Sequence, residues 1–202
     1  VEDVILDFRR QSRRKLVELG IPAEVLADVE TSTLMRNRAT RYASANLSTP
    51  EKLRFEQELD RFLLGYELSW AEQSTLFPDT IPVLNKLREQ GTRMAMVTNT
   101  SRRAAEAILA KHALSQYFDA VVTRNDVAQL KPDPEGIFRA LNKLQNREAI
   151  FVGDTEHDSK AARNAGIKSI IIRRGRRHNL PGPDTSGDYT AQSLSDILKI
   201  VR

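Results

Sequence analysis

Residues 150–158 of the chain are Ile150-Phe151-Val152-Gly153-Asp154-Thr155-Glu156-His157-Asp158, an apolar strand that ends in a glycine and continues into the acidic start of a helix. The two aspartates, Asp154 and Asp158, are four residues apart. Side chains at this spacing lie on one helical face, and the preceding strand fixes where they point. Carboxylate oxygens are ligands that Mg²⁺ prefers, so the stretch predicts a magnesium site.

The same alternation of short apolar strands and helices extends over residues 76–202. Strands are predicted at 94–97, 120–122, 149–152 and 169–172, and helices at 80–90, 101–112, 134–144 and 158–165. Apolar strands separated by helices of about ten residues indicate a parallel sheet covered on both faces. Ligands of such α/β proteins bind at the carboxyl ends of the strands.

Residues 1–75 have helical periodicity instead. Helices are predicted over 1–20, 22–30, 31–47 and 49–74, the last opened by Thr49 as N-cap and Pro50 as first helical residue. Its inward-facing residues are predicted to be Leu53, Leu59, Phe62, Leu63, Tyr66 and Trp70. The first third is therefore expected to be a helical bundle.

Composition narrows the class of protein. The 202 residues are 40% hydrophobic and 29% charged, with no cysteine. The sequence contains no uninterrupted apolar run close to the length of about 20 residues that a membrane-spanning helix needs. Its first residues do not follow the pattern of a signal peptide. A cytoplasmic globular protein without disulfides or cysteine-bound zinc is expected.

The net charge of +4 is equal to the charge of one basic run, Arg173, Arg174, Arg176 and Arg177. No aromatic residue interrupts this run, which is more typical of a solvated loop than of a nucleic-acid patch. No nucleic-acid or membrane partner is expected.

Three predicted strand ends carry chemically suggestive residues. Thr98 and Asn99 precede a helix N-terminus, where free backbone N–H groups favour an anion. Lys131 lies in Leu130-Lys131-Pro132-Asp133-Pro134, which restricts its backbone and suits a positioned cation. Asp154 follows the third strand. Each has a simpler explanation when taken alone: helix capping by Ser101, an exposed loop, or acidic residues at a helix N-terminus.

Together and in this order, the three segments resemble the motifs of the haloacid dehalogenase superfamily, in its phosphoglycolate-phosphatase-like branch with a helical cap. The resemblance covers residues 1–202 and includes Phe77-Pro78-Asp79, which is similar to the family's return from cap to core. It implies a Rossmann-like parallel-sheet core at 76–202 and an α-helical bundle cap domain at 1–75.

The resemblance also implies a Mg²⁺-dependent hydrolase of small phosphomonoesters that forms an aspartyl-phosphate intermediate. Thr98 and Lys131 would be catalytic residues, and Thr98, Asn99 and Lys131 would bind the phosphate of a small phosphorylated metabolite. Asp154 and Asp158 would hold Mg²⁺. The cap would cover the site, and the protein would be a monomer or homodimer.

The family's first motif, a strand ending in Asp-x-Asp-Gly-Thr that supplies the nucleophile, has no match here. Asp7 follows Val4-Ile5-Leu6, but Arg9 occupies the place of the second Asp, and a helix explains this stretch better. We therefore expect the nucleophile upstream, in a parent chain that begins about 15 to 25 residues earlier. Since the family's first strand lies in the centre of the sheet, its absence would leave a gap between the strands that end at Val97 and Val152.

Two alternatives remain open at this stage. One is a 2-haloacid dehalogenase, which needs no magnesium and is disfavoured by Asp154 and Asp158. The other is a non-catalytic member of the same fold that binds a phosphorylated ligand or a protein partner.

Overall fold

The computed structural model describes residues 2–29, 31–174 and 187–201. The chain divides into two compact units, Val1–Glu72 and Gln73–Arg202, named below the helical unit and the α/β unit. In the helical unit, α1 spans Glu2–Glu18, α2 spans Ser32–Asn46 and α3 spans Thr49–Gln73. Its core is lined by fully buried apolar residues from these helices and from the segment between α1 and α2, including Leu16, Ile21, Leu26, Met35 and Phe55.

The sequence prediction for this unit was wrong at three points. Residues 22–30 were predicted to be helical, but only the 3₁₀ turn Ala23–Leu26 forms, because Ala27 is extended and Asp28 has a φ of 56°. Helix α3 is capped by Ser48, whose backbone N–H donates to Glu51 Oε2, and not by Thr49. Leu53 and Trp70, both predicted to face inward, are 55% and 41% exposed.

The α/β unit contains the remaining elements. The helices are α4 Thr80–Glu89, α5 Arg102–Lys111, α6 Glu135–Leu144, α7 Glu156–Ala165 and α8 Ile197–Ile200. The strands are β1 Ala95–Val97, β2 Ala120–Val122, β3 Ile150–Gly153, β4 Lys168–Ile172 and β5 Tyr189–Ala191. Strand β5 and helix α8 were not predicted. Helix α7 begins two residues earlier than predicted, because Thr155 is its N-cap and accepts a hydrogen bond from the Asp158 backbone N–H.

All strand pairs of the described residues are parallel, which confirms the predicted α/β class. The strands form two sheets, however, and not one: β1 pairs with β2, and β4 lies between β3 and β5. No strand among the described residues hydrogen-bonds to β1 and β3 together.

Helices cover the two sheets on both faces. Met96 and Val121 pack towards α4 and α5, whereas α6 approaches Val97 so closely that a Cβ on Gly136 would lie 2.9 Å from Val97 Cγ1. Helices α6 and α7 pack on each other and on Phe151 through Ile137, Ala161 and Ala162. The α6–α7 layer therefore joins β1 and β3, although their backbones do not pair.

Candidate functional site

The site lies where the carboxyl ends of β1 and β3 meet. Asn99, two residues after β1, uses its side-chain amide to hold the loop that contains Lys131. Its Nδ2 donates to the Lys131 carbonyl oxygen at 3.3 Å, and its Oδ1 accepts from the Lys131 backbone N–H at 3.1 Å. Two loops separated by 32 residues in sequence are thereby fixed to each other.

The Thr98 hydroxyl donates to no acceptor among the residues that the structure describes. Its Oγ1 accepts the Thr100 backbone N–H at 3.1 Å, and its own backbone N–H donates to the Val122 carbonyl oxygen at 2.9 Å. A hydroxyl group accepts and donates independently, so the Thr98 hydroxyl proton can donate to an anion. The N-terminus of α5 follows directly, with Ser101 as its cap.

Lys131 places its ammonium group between the two sheets. Nζ donates to the Val97 carbonyl oxygen at 3.0 Å and to Asp158 Oδ1 at 2.7 Å, and it lies 5.3 Å from the centre of the Phe151 ring. The side chains of Lys131 and Asp158 are only 12% and 6% exposed. An ammonium group has three donors, so one N–H remains beyond these two bonds.

Asp158 is the most heavily bonded carboxylate of the site. Besides Lys131, it accepts bonds at Oδ2 from the Asp154 backbone N–H, the Thr155 backbone N–H and Thr155 Oγ1, at 3.2, 3.0 and 2.6 Å. Burial raises its pKa, but the charge of Lys131 and the bonds from Lys131 and Thr155 outweigh burial, so the pKa lies below its ordinary value. The ionised form is therefore the native one at neutral pH.

Asp154, in contrast, is exposed, and its carboxylate accepts no hydrogen bond from the described residues. No group of three or more His, Cys, Asp or Glu side chains suited to a metal occurs in the part of the chain that the structure describes. One free carboxylate with a second close by still fits Mg²⁺, which keeps several waters and is often held by one or two protein carboxylates.

Further contacts were not predictable from sequence. Arg102 in the first turn of α5 binds both oxygens of Asp126, and the Arg124 backbone N–H donates to the Thr100 carbonyl oxygen, joining the loops after β1 and β2. Arg174, from the basic run, lies over the Phe77 ring and binds Asp79. Arg176 and Arg177 lie outside the described residues.

Asp7 lies in α1, where it accepts a hydrogen bond from Gln11 Nε2 at 2.6 Å. The helical interpretation of this stretch is confirmed. Among helices in the described ranges, none is long and apolar enough to cross a membrane.

The α/β unit is parallel and carries a hydroxyl, a buried ammonium group and an exposed carboxylate at its strand ends, which is where α/β proteins bind their ligands. Comparison with known proteins identifies the family. Residues 26–172 match the model of the haloacid dehalogenase-like hydrolases, and the chain belongs to that family.

Sequence relatives indicate the phosphoglycolate-phosphatase-like branch. The chain is 31% identical to phosphoglycolate phosphatase of Vibrio parahaemolyticus over 160 residues, which cover 78% of this chain and 69% of the relative. It is 31% identical to phosphoglycolate phosphatase of Cereibacter sphaeroides over 176 residues, covering 85% and 80%. It is 36% identical to pyrophosphatase PpaX of Halalkalibacterium halodurans, but the match covers only 57% of this chain and 54% of that protein.

Solved structures share the fold. A predicted phosphoglycolate phosphatase from Haemophilus somnus superposes with a TM-score of 0.63 at 23% identity, covering 98% of this chain and 92% of the other. A phosphatase of the same superfamily from Thermococcus onnurineus gives a TM-score of 0.59 at 26% identity, covering 99% and 91%.

Proposed function

We propose that the protein is a Mg²⁺-dependent phosphatase of small phosphorylated metabolites that acts through an aspartyl-phosphate. The observation that carries this proposal is the buried Lys131 ammonium group, fixed by Asp158 and the Val97 carbonyl oxygen at the end of β1. A cation held rigidly in a poorly hydrated place stabilises negative charge that develops during phosphoryl transfer. Relatives named phosphoglycolate phosphatase and pyrophosphatase support the same class of substrate.

Each residue has a distinct role in the proposed reaction. Thr98 donates its hydroxyl proton to a phosphoryl oxygen, and the positive end of the α5 dipole, which begins at Arg102, favours the same anion. Lys131 neutralises charge on the transferring group and the nucleophile. Asn99 contributes by positioning Lys131, because its side-chain amide is already bonded to the Lys131 backbone.

Asp154 would hold Mg²⁺, which would supply further neutralisation of the phosphoryl oxygens. Asp158 supports this metal site indirectly. It orients Lys131, and it accepts a hydrogen bond from the Asp154 backbone N–H, which fixes the backbone that would carry the metal-binding carboxylate. The nucleophile is an aspartate that we place upstream of Val1. It attacks phosphorus in line, the alcohol leaves, and water then hydrolyses the aspartyl-phosphate.

Phosphate release tests this proposal. Residues 1–202 alone are expected to release no phosphate from an aryl phosphate or phosphoglycolate with Mg²⁺, whereas a longer version that carries an upstream aspartate strand is expected to be active. Loss of a covalent nucleophile removes about four to six orders of magnitude of rate.

Three controls complete the experiment. Lys131→Met in the longer version should abolish its activity. Turnover by residues 1–202 that Asp7→Asn abolishes would show that the nucleophile has been misplaced. Metal-independent release of halide from a 2-haloacid would replace the phosphatase by a dehalogenase.

A further inference from the structure

The loop after β2 is anchored in the core of the α/β unit. Thr123 and Arg124, which follow the last residue of β2, are 0% and 2% exposed. The 3₁₀ turn Arg124–Asp126 comes next, and the Asp126 carboxylate closes it: Oδ2 accepts hydrogen bonds from the Thr123 backbone N–H and from Thr123 Oγ1, both at 2.7 Å. The Asp126 side chain is therefore held in a fixed place beside the carboxyl end of β2.

The same loop binds the segment that leads from β1 into α5. Arg102 Nη2 donates to Asp126 Oδ1 and Oδ2 at 2.6 and 2.5 Å, and the Arg102 backbone N–H donates to Asn125 Oδ1 at 2.9 Å. The Arg124 backbone N–H donates to the Thr100 carbonyl oxygen at 3.0 Å. Three consecutive residues of the β2 loop thus each bind this segment.

The segment bound in this way determines the orientation of Thr98. Thr98 Oγ1 accepts the Thr100 backbone N–H at 3.1 Å, so the direction of the Thr98 hydroxyl depends on where the Thr100 backbone lies. Arg124 fixes that backbone at its carbonyl oxygen, and the contacts of Arg102 fix it two residues further along. A continuous path of backbone and hydrogen bonds therefore leads from Asp126 through Arg102 and Thr100 to the Thr98 hydroxyl.

The ion pair between Asp126 and Arg102 contributes more to geometry than to stability. Their side chains are 24% and 40% exposed, and ion pairs at partly exposed places add little to the free energy of unfolding. Burial raises the pKa of Asp126, but the bonds from Arg102 and Thr123 outweigh burial and lower the pKa to about 2, so the carboxylate is ionised at neutral pH. Hydrogen bonds between ionised groups are short and hold their partners in a narrow range of positions.

Arg102 has a second acidic neighbour on its own helix. Arg102 Nη1 lies 3.6 Å from Glu106 Oε1, one turn further along α5, and the Glu106 side chain is 61% exposed. Without the charge of Asp126, the guanidinium group can turn towards Glu106. The arginine then keeps a counter-ion, but its side chain no longer links α5 to the β2 loop.

We propose that Asp126 is a positioning residue for phosphate binding. Through Arg102 it holds the start of α5, and with it the Thr98 hydroxyl, in the orientation that receives a phosphoryl oxygen. The inference rests on the proposed function, since it concerns the anion that Thr98 and Lys131 would bind. It predicts an effect opposite in sign to simple electrostatics, because removal of a carboxylate near an anion site would otherwise strengthen anion binding.

Titration of residues 1–202 with inorganic phosphate, followed by NMR of the backbone amides, tests the inference. In the wild type, saturable shifts are expected for the amides of Thr98, Thr100 and Lys131. Asp126→Asn keeps the shape of the side chain and an acceptor for the Thr123 backbone N–H, so the fold should be kept, but phosphate affinity should fall about three- to tenfold. The Thr100 amide resonance should move even without phosphate, because the backbone that bonds to Thr98 Oγ1 is held less firmly.

Two further variants separate positioning from other effects. Glu106→Gln removes the other negative charge beside Arg102 without affecting a contact between loops, so it should not weaken phosphate binding. Arg102→Gln should weaken it, and Asp126→Asn added to Arg102→Gln should cause no further loss, because the carboxylate acts through this arginine. A merely structural role of Asp126 would give an additional loss in the double variant.

Unchanged or tighter phosphate binding by Asp126→Asn, beside a wild type that binds, would overturn this inference alone. A further loss in the double variant, or an equal loss in Glu106→Gln, would do the same. A wild type whose Thr98 and Lys131 amides do not respond to phosphate would overturn the proposed phosphate site and this inference together, so the two failures are distinguishable.

Discussion

At the scale of single residues, the candidate site depends on the hydrogen bonds and the ion pair that Asp158 forms. The sequence pairs Asp158 with Asp154 as two similar carboxylates, but their surroundings differ: Asp158 is 4% exposed and bonded at both oxygens, whereas Asp154 is exposed. The more buried aspartate therefore holds a lysine, and the exposed one is available to a cation.

Asp158→Asn is expected to destabilise the protein. The substitution keeps the shape of the side chain but leaves the Lys131 ammonium group buried without its counter-ion, which costs about 3–5 kcal/mol in the free energy of unfolding. Urea denaturation at neutral pH measures this loss. Asp196→Asn is the matched control, because Asp196 forms the same capping box with Ser193 but pairs with the exposed Lys199.

The pH dependence of the stability of wild type and of Asp158→Asn gives a second test of the ion pair between Asp158 and Lys131. The pKa of Asp158 is lower in the folded than in the unfolded state, so its contribution is complete above its ordinary pKa and is lost as the pH falls through the folded value. The stability difference between wild type and Asp158→Asn should therefore shrink as the pH falls below about 4. A difference that stays constant down to pH 3 would contradict the ion pair as its cause.

Mg²⁺ affinity should depend on Asp154. With one free carboxylate and a second that is engaged, residues 1–202 are expected to bind Mg²⁺ weakly, in about the millimolar range. Isothermal titration calorimetry should show that Asp154→Asn removes this binding. Unchanged affinity in Asp154→Asn would mean that Asp154 is only an acidic residue beside a helix N-terminus.

At the scale of elements, the close approach of β3 to α7 determines where the acidic residues lie. A Cβ added to Gly153 would lie 2.3 Å from Asp158 Cβ, so the last residue of β3 must be glycine for α7 to begin where it does. Thr155 then caps the helix, and its capping box holds the Asp158 side chain. The end of β3 and the start of α7 therefore together fix the position of the Asp158 side chain.

Gly153→Ala is expected to destabilise the α/β unit by about 1–3 kcal/mol, because the added methyl group forces α7 away from β3. It should also displace Asp158 from Lys131, which weakens the ion pair further. Gly65→Ala in α3 is the control: nothing lies within 4 Å of its Cβ position, so alanine should stabilise the helix by about 0.5–1 kcal/mol. Thermal unfolding of the two variants measures both effects.

At the scale of the whole molecule, the chain consists of a helical unit and an α/β unit, and the residues of the proposed site belong to only one of them. The helical unit has its own core around Leu16, Met35 and Phe55 and its own aromatic contacts among Phe8, Phe62, Tyr66 and Trp70. Thr98, Lys131 and Asp154 all belong to the α/β unit.

The net charge of +4 should not produce nucleic-acid binding. Of the basic run, Arg174 is bonded to Asp79 and lies against Phe77, so its charge is already partly neutralised. Titration with duplex DNA at about 150 mM salt should give no saturable binding, since phosphate contacts by a few arginines are screened at that ionic strength. Tight binding that persists at high salt would contradict this prediction and would show that the basic run binds nucleic acid.

The sequence by itself determined the α/β class, most strand and helix positions, and the three strand ends that carry the residues of the proposed site. These follow from hydrophobic periodicity and from local signals such as Ser101 as a cap, which depend only on neighbouring residues. Tertiary structure alone decided that Asn99 holds Lys131, that Asp158 pairs with Lys131, and that the described strands form two sheets. The two side-chain contacts join residues 32 and 27 positions apart, and their energy depends on burial and distance, which no local pattern encodes.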